Sequence, residues 1–140
     1  WYENGQIATE SNYIDGKEDG KRTEWYENGQ IYVEGNFILG TGRLIGRYEN
    51  GDIAYEKNYK DGKQQGKQTR WYENGQRYEE ENYQDGKRDG RWVQWRENGQ
   101  IGFEINFKNG KYDGTWTEWD TNGQIKAESI WKDDSCISGC

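Results

Sequence analysis

One short motif, repeated along the chain, constrains its fold more than any other feature. The sequence Trp-Tyr-Glu-Asn-Gly-Gln stands at Trp1, Trp25 and Trp71 and returns in weaker form between and after them. The Asn-Gly pairs follow one another at steps of 24, 22, 24, 24 and 24 residues, with asparagines at Asn4, Asn28, Asn50, Asn74, Asn98 and Asn122. A fixed period of this kind indicates one supersecondary unit stacked along a line.

The composition is polar, but it is not that of a disordered chain. Only 30% of the residues are hydrophobic, whereas 32% are charged. Against disorder stand eight Trp, eleven Tyr and three Phe, whose rings recur with the period of the repeat. Large rings bury much apolar area per residue. We therefore expect an ordered but thin structure with little conventional core.

The formal net charge of −7 argues against nucleic acid and anionic membrane surfaces as partners, because both reward clustered Lys and Arg. No apolar run approaches membrane-spanning length, so we expect no membrane insertion. No signal-like segment is present. The chain contains no Met and opens on Trp1, inside a repeat. We therefore expect a processed product or a segment of a longer protein, with a secreted or cell-surface location favoured over a cytoplasmic one.

Each unit contains two extended stretches with β-branched or aromatic residues at alternate positions, which is typical of half-buried strands. Asn-Gly predicts a two-residue type I′ hairpin turn, and Asp-Gly-Lys-x-x-Gly predicts a longer turn at the other end. No proline and no helical period interrupts the pattern. The predicted fold class is all-β. Residues 1–133 form tandem β-hairpin repeats of about 24 residues, in one elongated antiparallel meander of roughly eleven or twelve strands.

The predicted turn also sets the pairing register. With Asn28-Gly29 as a two-residue loop, Trp25 faces Tyr32 and Thr23 faces Glu34. One slot is occupied by glutamate in all six units: Glu10, Glu34, Glu56, Glu80, Glu104 and Glu128. The basic residues diagonal to this ladder are Lys21, Arg43, Lys67 and Arg91. We favour cross-strand ion pairs of about 0.2–1 kcal/mol each over cation binding or acid chemistry.

Two rows of rings and a set of turn acids have both a structural and a functional interpretation. One row is Tyr13, Phe37, Tyr59, Tyr83, Phe107 and Trp131; the other is Trp1, Trp25, Trp71, Trp95 and Trp119, interrupted by Arg47. Exposed rings stack on sugars or cage quaternary amines, but so polar a chain has little else to bury, and we favour a core role. Turn formation explains acids such as Asp15 and Asp19 better than calcium, which prefers six to eight oxygens. We predict no metal and no cofactor.

The second unit, residues 25–46, departs from the pattern. Where other units read Asp-Gly-Lys-x-x-Gly, this one continues from Ile38 as Ile-Leu-Gly-Thr-Gly-Arg-Leu-Ile. Two residues are missing, Arg47 replaces a Trp, and four aliphatic residues cluster. Such an interruption indicates either a binding site or a tighter turn. The candidate interaction surface is Ile38, Leu39, Leu44, Ile45 and Arg47.

Residues 134–140 form a tail outside the repeats that contains both cysteines, Cys136 and Cys140. Three interpretations are open: a local disulfide, a crosslink between chains, or two free thiols on a loose tail. Two thiols without any His make a poor zinc site. The pair is therefore a candidate crosslink and not a metal site.

These elements resemble the MORN repeat, in the variant found in bacterial proteins of the YwqK antitoxin family. The matching residues are Trp-Tyr-Glu-Asn-Gly-Gln, Glu-x-Asn-Tyr and Asp-Gly-Lys-x-x-Gly-Lys, recurring over residues 1–133. The resemblance implies β-hairpin repeats in an elongated sheet and a role in protein interaction, including toxin neutralisation. It also implies phospholipid binding, against which the acidic balance argues. It supplies no catalytic residues.

The leading functional hypothesis is a non-enzymatic module for protein–protein interaction, with toxin neutralisation as its specific form. The alternative is a structural protein that self-assembles edge to edge into an extracellular fibre or surface layer, because an open sheet edge is a template for another chain. A further alternative is glycan or choline binding by the aromatic rows. An enzyme is disfavoured, since the chain has no His, no Ser-base constellation and no phosphate loop. The expected partner is another protein or further copies of the chain.

Overall fold

The computed structural model describes all 140 residues, and every regular element in it is a strand. In chain order the strands are β1 (Thr9–Glu10), β2 (Tyr13–Ile14), β3 (Lys17–Glu18), β4 (Gly20–Trp25), β5 (Ile31–Ile38), β6 (Thr41–Arg47), β7 (Ile53–Lys60), β8 (Lys63–Gln64), β9 (Gly66–Trp71), β10 (Arg77–Gln84), β11 (Lys87–Arg88), β12 (Gly90–Trp95), β13 (Ile101–Lys108), β14 (Lys111–Trp119), β15 (Ile125–Lys132) and β16 (Ser135–Ser138). No helix is present that could cross a membrane.

One antiparallel path runs through the sheet in the order β1, β4, β5, β6, β7, β9, β10, β12, β13, β14, β15, β16. Adding β8 and β11 gives a 14-stranded sheet, and β2 pairs with β3 as a separate ribbon. Short segments such as β8 and β9 are two parts of one hairpin arm. The predicted all-β meander of tandem hairpins is confirmed.

The two kinds of turn are exchanged relative to the prediction. In the loop after Trp25, the Gly29 N–H donates to the Tyr26 carbonyl at 2.9 Å, and the Tyr26 N–H donates to the Gln30 carbonyl at 2.8 Å. Gly29 has φ 84°, whereas Asn28 keeps a negative φ. The loop therefore has three residues and a glycine bulge, so the type I′ prediction is wrong. Asn28 acts through its side chain, whose Oδ1 accepts the Gln30 N–H at 2.9 Å.

The Asp-Gly stretch forms the tight turn instead. Asp61 and Gly62 have φ values of 51° and 80°, and Lys60 pairs with Lys63 across them. Two positive φ values are the mark of a type I′ turn. The residues that follow form a β-bulge, where the Gln65 N–H donates to the Asn58 carbonyl at 2.9 Å. The predicted long turn is wrong because its extra residues lie within the strand.

The register prediction is right away from the loop and wrong beside it. Thr23 faces Glu34 as predicted, but Trp25 faces Ile31 rather than Tyr32. The three-residue loop adds one residue to the hairpin, and a bulge at the start of β5 removes the offset. The two deviations cancel, so the rest of the hairpin has the predicted pairing.

Registered partners share a face of the sheet, and the register therefore defines a glutamate face. Its central row is Glu10, Thr23, Glu34, Ile45, Glu56, Thr69, Glu80, Val93, Glu104, Thr117 and Glu128. The predicted ion pairs are confirmed for Arg43–Glu56 at 3.3 Å, Lys67–Glu80 at 3.0 Å and Arg91–Glu104 at 2.6 Å. Glu34 pairs with Arg47 at 2.6 Å rather than with Lys21. The long side chains of these ion pairs cover the smaller Thr, Ile and Val side chains that alternate with glutamate in the row.

The opposite, aromatic face holds the main core cluster. Val33, Phe37 and Leu44 are buried there and pack against Tyr55 and Tyr59. The rings of Phe37 and Tyr59 meet edge to face at 5.9 Å. Farther along, the Trp92 ring lies 5.0 Å from Phe103 and 5.9 Å from Phe107. The core interpretation of the first ring row is confirmed where Phe37 and Phe107 are buried, but Tyr13 is 59% exposed.

Two glycines of β6 let these rings lie close to the backbone. A Cβ at Gly46 would overlap the Tyr55 ring, and a Cβ at Gly42 would lie 2.9 Å from the Phe37 ring. Glycine within a strand often marks such a close approach. All three buried residues of the main core cluster thus belong to the irregular second unit.

A side-chain hydrogen bond ties each hairpin to the next along the edge of the sheet that carries the Asn-Gly loops, which we call the loop edge. The tyrosine after the motif Trp position donates its hydroxyl to a backbone carbonyl in the next unit. The acceptor is the carbonyl of the residue at that unit's own Trp position. The pairs are Tyr2 to Trp25 at 2.5 Å, Tyr26 to Arg47 at 2.8 Å, Tyr48 to Trp71 at 2.5 Å and Tyr72 to Trp95 at 2.8 Å. In the fifth unit the Arg96 guanidinium donates to the Trp119 carbonyl instead.

Backbone hydrogen bonds tie the units together along the opposite edge of the sheet, which carries the tight turns and which we call the turn edge. The turn glycine of one unit donates its N–H to a carbonyl of the unit before it. The pairs are Gly40 to Glu18 at 2.7 Å, Gly62 to Gly40 at 2.8 Å, Gly86 to Gln64 at 2.9 Å and Gly110 to Arg88 at 2.7 Å. Both long edges of the sheet are therefore fixed from unit to unit.

Tyr72→Phe tests the loop-edge bond. The substitution removes a half-buried hydrogen bond and leaves the Trp95 carbonyl without its donor. We expect the free energy of unfolding to fall by about 1 kcal/mol. Urea denaturation followed by circular dichroism measures it. The matched control is Tyr13→Phe, in which the lost hydroxyl belongs to an exposed residue and reaches only Glu18, at 3.4 Å. Equal stabilities of the two variants would contradict the proposed role of the bond.

Tyr55 makes the stability depend on alkaline pH. Burial, assisted by Tyr32, raises its pKa from 10.0 to about 12. The neutral phenol is thus favoured in the folded state, so its contribution is complete below pH 10 and is lost as the pH rises through about 12. As the pH rises from 10 to about 12, the free energy of unfolding should fall in both the unsubstituted chain and Tyr55→Phe. The fall should be about 1 kcal/mol smaller in Tyr55→Phe, after allowance for solvent screening. Urea midpoints at both ends of the range measure this; parallel losses would refute it.

Candidate interaction surface

The five residues predicted from the second unit do not form one surface. Leu44 lies in the core cluster and is 7% exposed. Ile45 faces Glu34 and Glu56 on the glutamate face. Ile38 and Leu39 lie at the hairpin turn and are well exposed. Neighbours along a strand point to opposite faces, and this separates Leu44 from Ile45.

Arg47 acts within the sheet. Its guanidinium donates to Glu34 Oε1 at 2.6 and 3.2 Å and to the Gly51 carbonyl at 3.2 Å. Its own carbonyl accepts the Tyr26 hydroxyl. Arg47 therefore replaces the Trp of other units with an ion pair while keeping the tie between hairpins.

The two residues missing from the second unit are those of the bulge. Pairing runs without a shift from Ile38 with Thr41 to Val33 with Gly46. The turn itself has the usual size, because Leu39 and Gly40 have φ values of 48° and 81°. The tighter-turn interpretation is therefore wrong: the deletion straightens β6 and leaves the turn as it is in other units.

The first two units present an apolar turn edge, which consists of Ile14, Ile38 and Leu39. These side chains are 49%, 76% and 48% exposed. The equivalent positions in later units hold Lys60-Asp61, Gln84-Asp85, Lys108-Asn109 and Lys132-Asp133. The apolar edge is thus confined to one end of an otherwise polar row of turns.

Leu39 breaks a local rule at this edge. Its φ of 48° is left-handed, and every other unit has Asp or Asn at this first turn position. Left-handed backbone costs an ordinary residue roughly 1–2 kcal/mol, and Asp and Asn tolerate it better. Its N–H is held by Asp19 Oδ1 at 2.9 Å. The side chain belongs to no core cluster, so packing does not explain its presence.

Cys136 lies in a strand rather than a loose tail, and Cys140 follows two residues after that strand ends. Ser135–Ser138 forms β16 on β15, and Trp131 pairs with Cys136. The sulfurs of Cys136 and Cys140 are bonded to each other within the chain. A link to another chain would therefore require thiol–disulfide exchange.

The turn acids hold the neighbouring turns. Asp19 Oδ1 accepts the Leu39 N–H, and Asp89 Oδ2 accepts the Asn109 N–H at 3.0 Å. In the same position Gln65 Oε1 accepts the Asp85 N–H at 3.0 Å. Because a neutral amide serves as well as a carboxylate, these bonds explain the residues without calcium.

A polar cluster interrupts the aromatic face in the fourth unit. Glu79 accepts the Trp92 Nε1–H at 2.8 Å and lies 3.3 Å from Arg70. Glu81 accepts from Arg88 at 2.7 Å and from the Tyr83 hydroxyl at 2.9 Å. Burial, and then the charge of Glu81, raises the pKa of Glu79.

This cluster offers paired carboxylates but little space. The cavity beside it measures about 30 Å³, which suits a single water rather than a substrate. Every buried polar side-chain atom also has a hydrogen-bond partner. We therefore interpret the cluster as a satisfied structural network.

The sequence interpretation missed the tyrosines that tie the hairpins together. Tyr2, Tyr26 and Tyr72 follow the motif Trp, Tyr48 follows Arg47, and another donor, Arg96, occupies this position in the fifth unit. That replacement was the available signal, because Tyr and Arg share the ability to donate to a carbonyl.

Hairpins stacked in a line, with the backbone bonds of each made to its neighbours, define a single-layer β-repeat protein. The MORN repeat variant matches six segments: residues 1–15, 18–38, 41–61, 64–85, 88–109 and 112–133. The chain therefore belongs to the MORN repeat variant family. Repeats of this family are in general non-enzymatic modules that interact with proteins or ligands. No curated relative matches the chain.

Leu39→Asn tests the strain at the apolar turn edge. Asn suits the left-handed backbone and keeps the N–H that Asp19 binds. We expect the free energy of unfolding to rise by about 1 kcal/mol, because little buried apolar area is lost at this exposed site. Chemical denaturation measures the change, with Ile38→Asn as a control outside the left-handed position. A less stable Leu39→Asn variant would disprove the strain.

Proposed function

We propose that the chain is a non-enzymatic protein-interaction module whose contact site is the apolar turn edge. The observation that carries the proposal is Leu39, an exposed aliphatic residue held at a positive φ where other units use Asp or Asn. A residue that costs stability and fills no core is explained by a partner that covers it.

The surroundings of this edge suit a protein partner. Ile38, which precedes Leu39 in the turn, and Ile14, at the equivalent position of the first unit, add exposed aliphatic area. The ion pair between Lys17 and Asp61, at 3.5 Å, gives the edge a polar border. An apolar centre with a polar rim is the usual anatomy of a protein interface. The backbone bonds from Leu39 and Gly40 to the first unit hold the edge in place without a partner.

The specific form of the proposal is toxin neutralisation. Its support is the resemblance of the repeat motifs to those of the YwqK antitoxin family. A toxin would bind the apolar turn edge through a hydrophobic pocket of its own and be blocked by the rigid sheet behind it.

The test replaces the two turn residues of the second unit with those of the third unit. In Ile38→Lys/Leu39→Asp the turn reads like Lys60-Asp61, so the fold should be kept and its stability raised. Affinity capture from the native source identifies a retained protein, and titration calorimetry with that purified protein gives the affinity. We expect the double variant to bind at least about tenfold more weakly, since each 1.4 kcal/mol of lost contact is tenfold.

The matched control is Gln84→Lys/Asp85→Asn, which alters the same kind of turn two units away. It should bind the partner like the unsubstituted chain. Equal affinity of the edge variant and this control would refute the apolar turn edge as the contact site. Absence of any retained protein would count against the interaction role as a whole.

Self-assembly is the second candidate function. Ile125, Ile130 and Ile137 are 59%, 44% and 63% exposed on the last hairpin, where a strand from another copy would find apolar contacts. Against it, β16 is short and its pairing with β15 is irregular, which discourages strand addition. Sedimentation velocity over a wide concentration range decides: monomer throughout would rule self-assembly out.

A further inference from the structure

A hollow opens on the aromatic face beside Gly102, at a position where two other units carry a ring. At the second residue of the strand that follows the Asn-Gly loop, two units carry Tyr32 and Tyr78. Each ring lies 5.0 Å from the tyrosine of its own loop, Tyr26 or Tyr72. The fifth unit has Gly102 at this position, and the remaining units have Ala8, Ala54 and Lys126. Beside it lies a cavity of about 220 Å³.

Aromatic side chains form most of the wall of this Gly102 hollow. Tyr72 and Tyr78 line one side, and Phe103 and Trp116 belong to the strands on the other. All four are half-buried, so part of each side chain remains in contact with solvent. The volume is below the range of about 300–1,000 Å³ that holds drug-sized ligands. The space therefore suits a single small ring.

The polar groups of the hollow indicate a neutral, hydroxyl-bearing ligand. Gln94 donates its Nε2–H to the Tyr78 hydroxyl at 2.8 Å, and its carbonyl oxygen remains available as an acceptor. Glu118 is neutralised by Lys126 at 2.7 Å. Arg96 places a cation in the wall, held by the carbonyls of the neighbouring backbone.

Aromatic walls can hold either a quaternary ammonium ion or a sugar ring, and the charges at this site favour the sugar ring. A fixed cation beside the rings repels a quaternary ammonium ion, and Arg96 lines this hollow while Lys126 pairs with its Glu118. A pyranose ring has an apolar face for the aromatic wall and hydroxyls for Gln94, Glu118 and Arg96. We propose that the Gly102 hollow binds one pyranose ring of a neutral glycan.

The experiment titrates the chain with methyl glycosides of glucose, galactose and N-acetylglucosamine, with tetramethylammonium as the cationic comparator. Trp95 and Trp116 line the site, so tryptophan fluorescence reports occupancy. We expect a saturable change with at least one glycoside and none with tetramethylammonium. No saturable change with any glycoside, or saturation by tetramethylammonium, would overturn the proposal.

Gly102→Tyr fills the hollow with the side chain that Tyr78 carries in the unit before. A Cβ at Gly102 would meet no atom closer than the Gln94 carbonyl oxygen at 3.5 Å, with the Arg96 side chain next at 3.8 Å, and the backbone there has no positive φ, so the backbone accepts a side chain. We expect at least tenfold weaker glycoside binding with an unchanged circular dichroism spectrum. The control is Ala54→Tyr, the same position in the third unit, which should leave affinity unchanged.

A second variant keeps the test decisive if Gly102→Tyr folds poorly. Trp116→Leu removes one wall of the hollow and should also weaken glycoside binding about tenfold, measured by ligand-observed NMR. Unchanged affinity in either folded variant refutes the site. The hollow lies in units distant along the chain from the apolar turn edge, so this proposal and the proposed function stand or fall separately.

Discussion

The bond from a loop tyrosine to the next unit's carbonyl is the interaction on which the rest of this structure depends. A single-layer sheet has no second layer to fix the pitch of its hairpins, and the strands of each unit pair only with their neighbours. Tyr26 and Tyr72 fix one edge from unit to unit, and the turn N–H groups fix the other. The sixth unit has Asp120 in place of the tyrosine, and its carboxylate accepts the N–H groups of its own loop instead.

Burial in such a sheet comes from side-chain length rather than from a facing layer. Val93 is 1% exposed on the glutamate face because Lys67, Glu80, Arg91 and Glu104 surround it with paired long side chains. Exposed ion pairs contribute little stability each, but their stems exclude water from the small residues. This division explains how a chain with 30% hydrophobic residues keeps an ordered sheet.

The sequence predicts what depends on period and alternation, and it fails where two turn chemistries compete. The all-β meander, the pairing of Thr23 with Glu34 and the ion pairs follow from spacing alone. Asn-Gly and Asp-Gly both favour tight turns, and only the fold shows that Asn28 acts by its side chain while Asp61 takes the left-handed backbone. The candidate surface was less predictable, because alternation separates Leu44 from Ile45.

Two positions stand apart because neither packing nor pairing within the sheet explains the residue found there. Leu39 puts an aliphatic side chain where the turn favours Asp or Asn, and Gly102 leaves open a space that Tyr32 and Tyr78 fill in other units. Other deviations have structural reasons: Gly46 admits the Tyr55 ring, and Arg47 pairs with Glu34. In a repeat protein each unit is a control for the others, so a deviation that neither packing nor pairing explains points to a contact outside the chain.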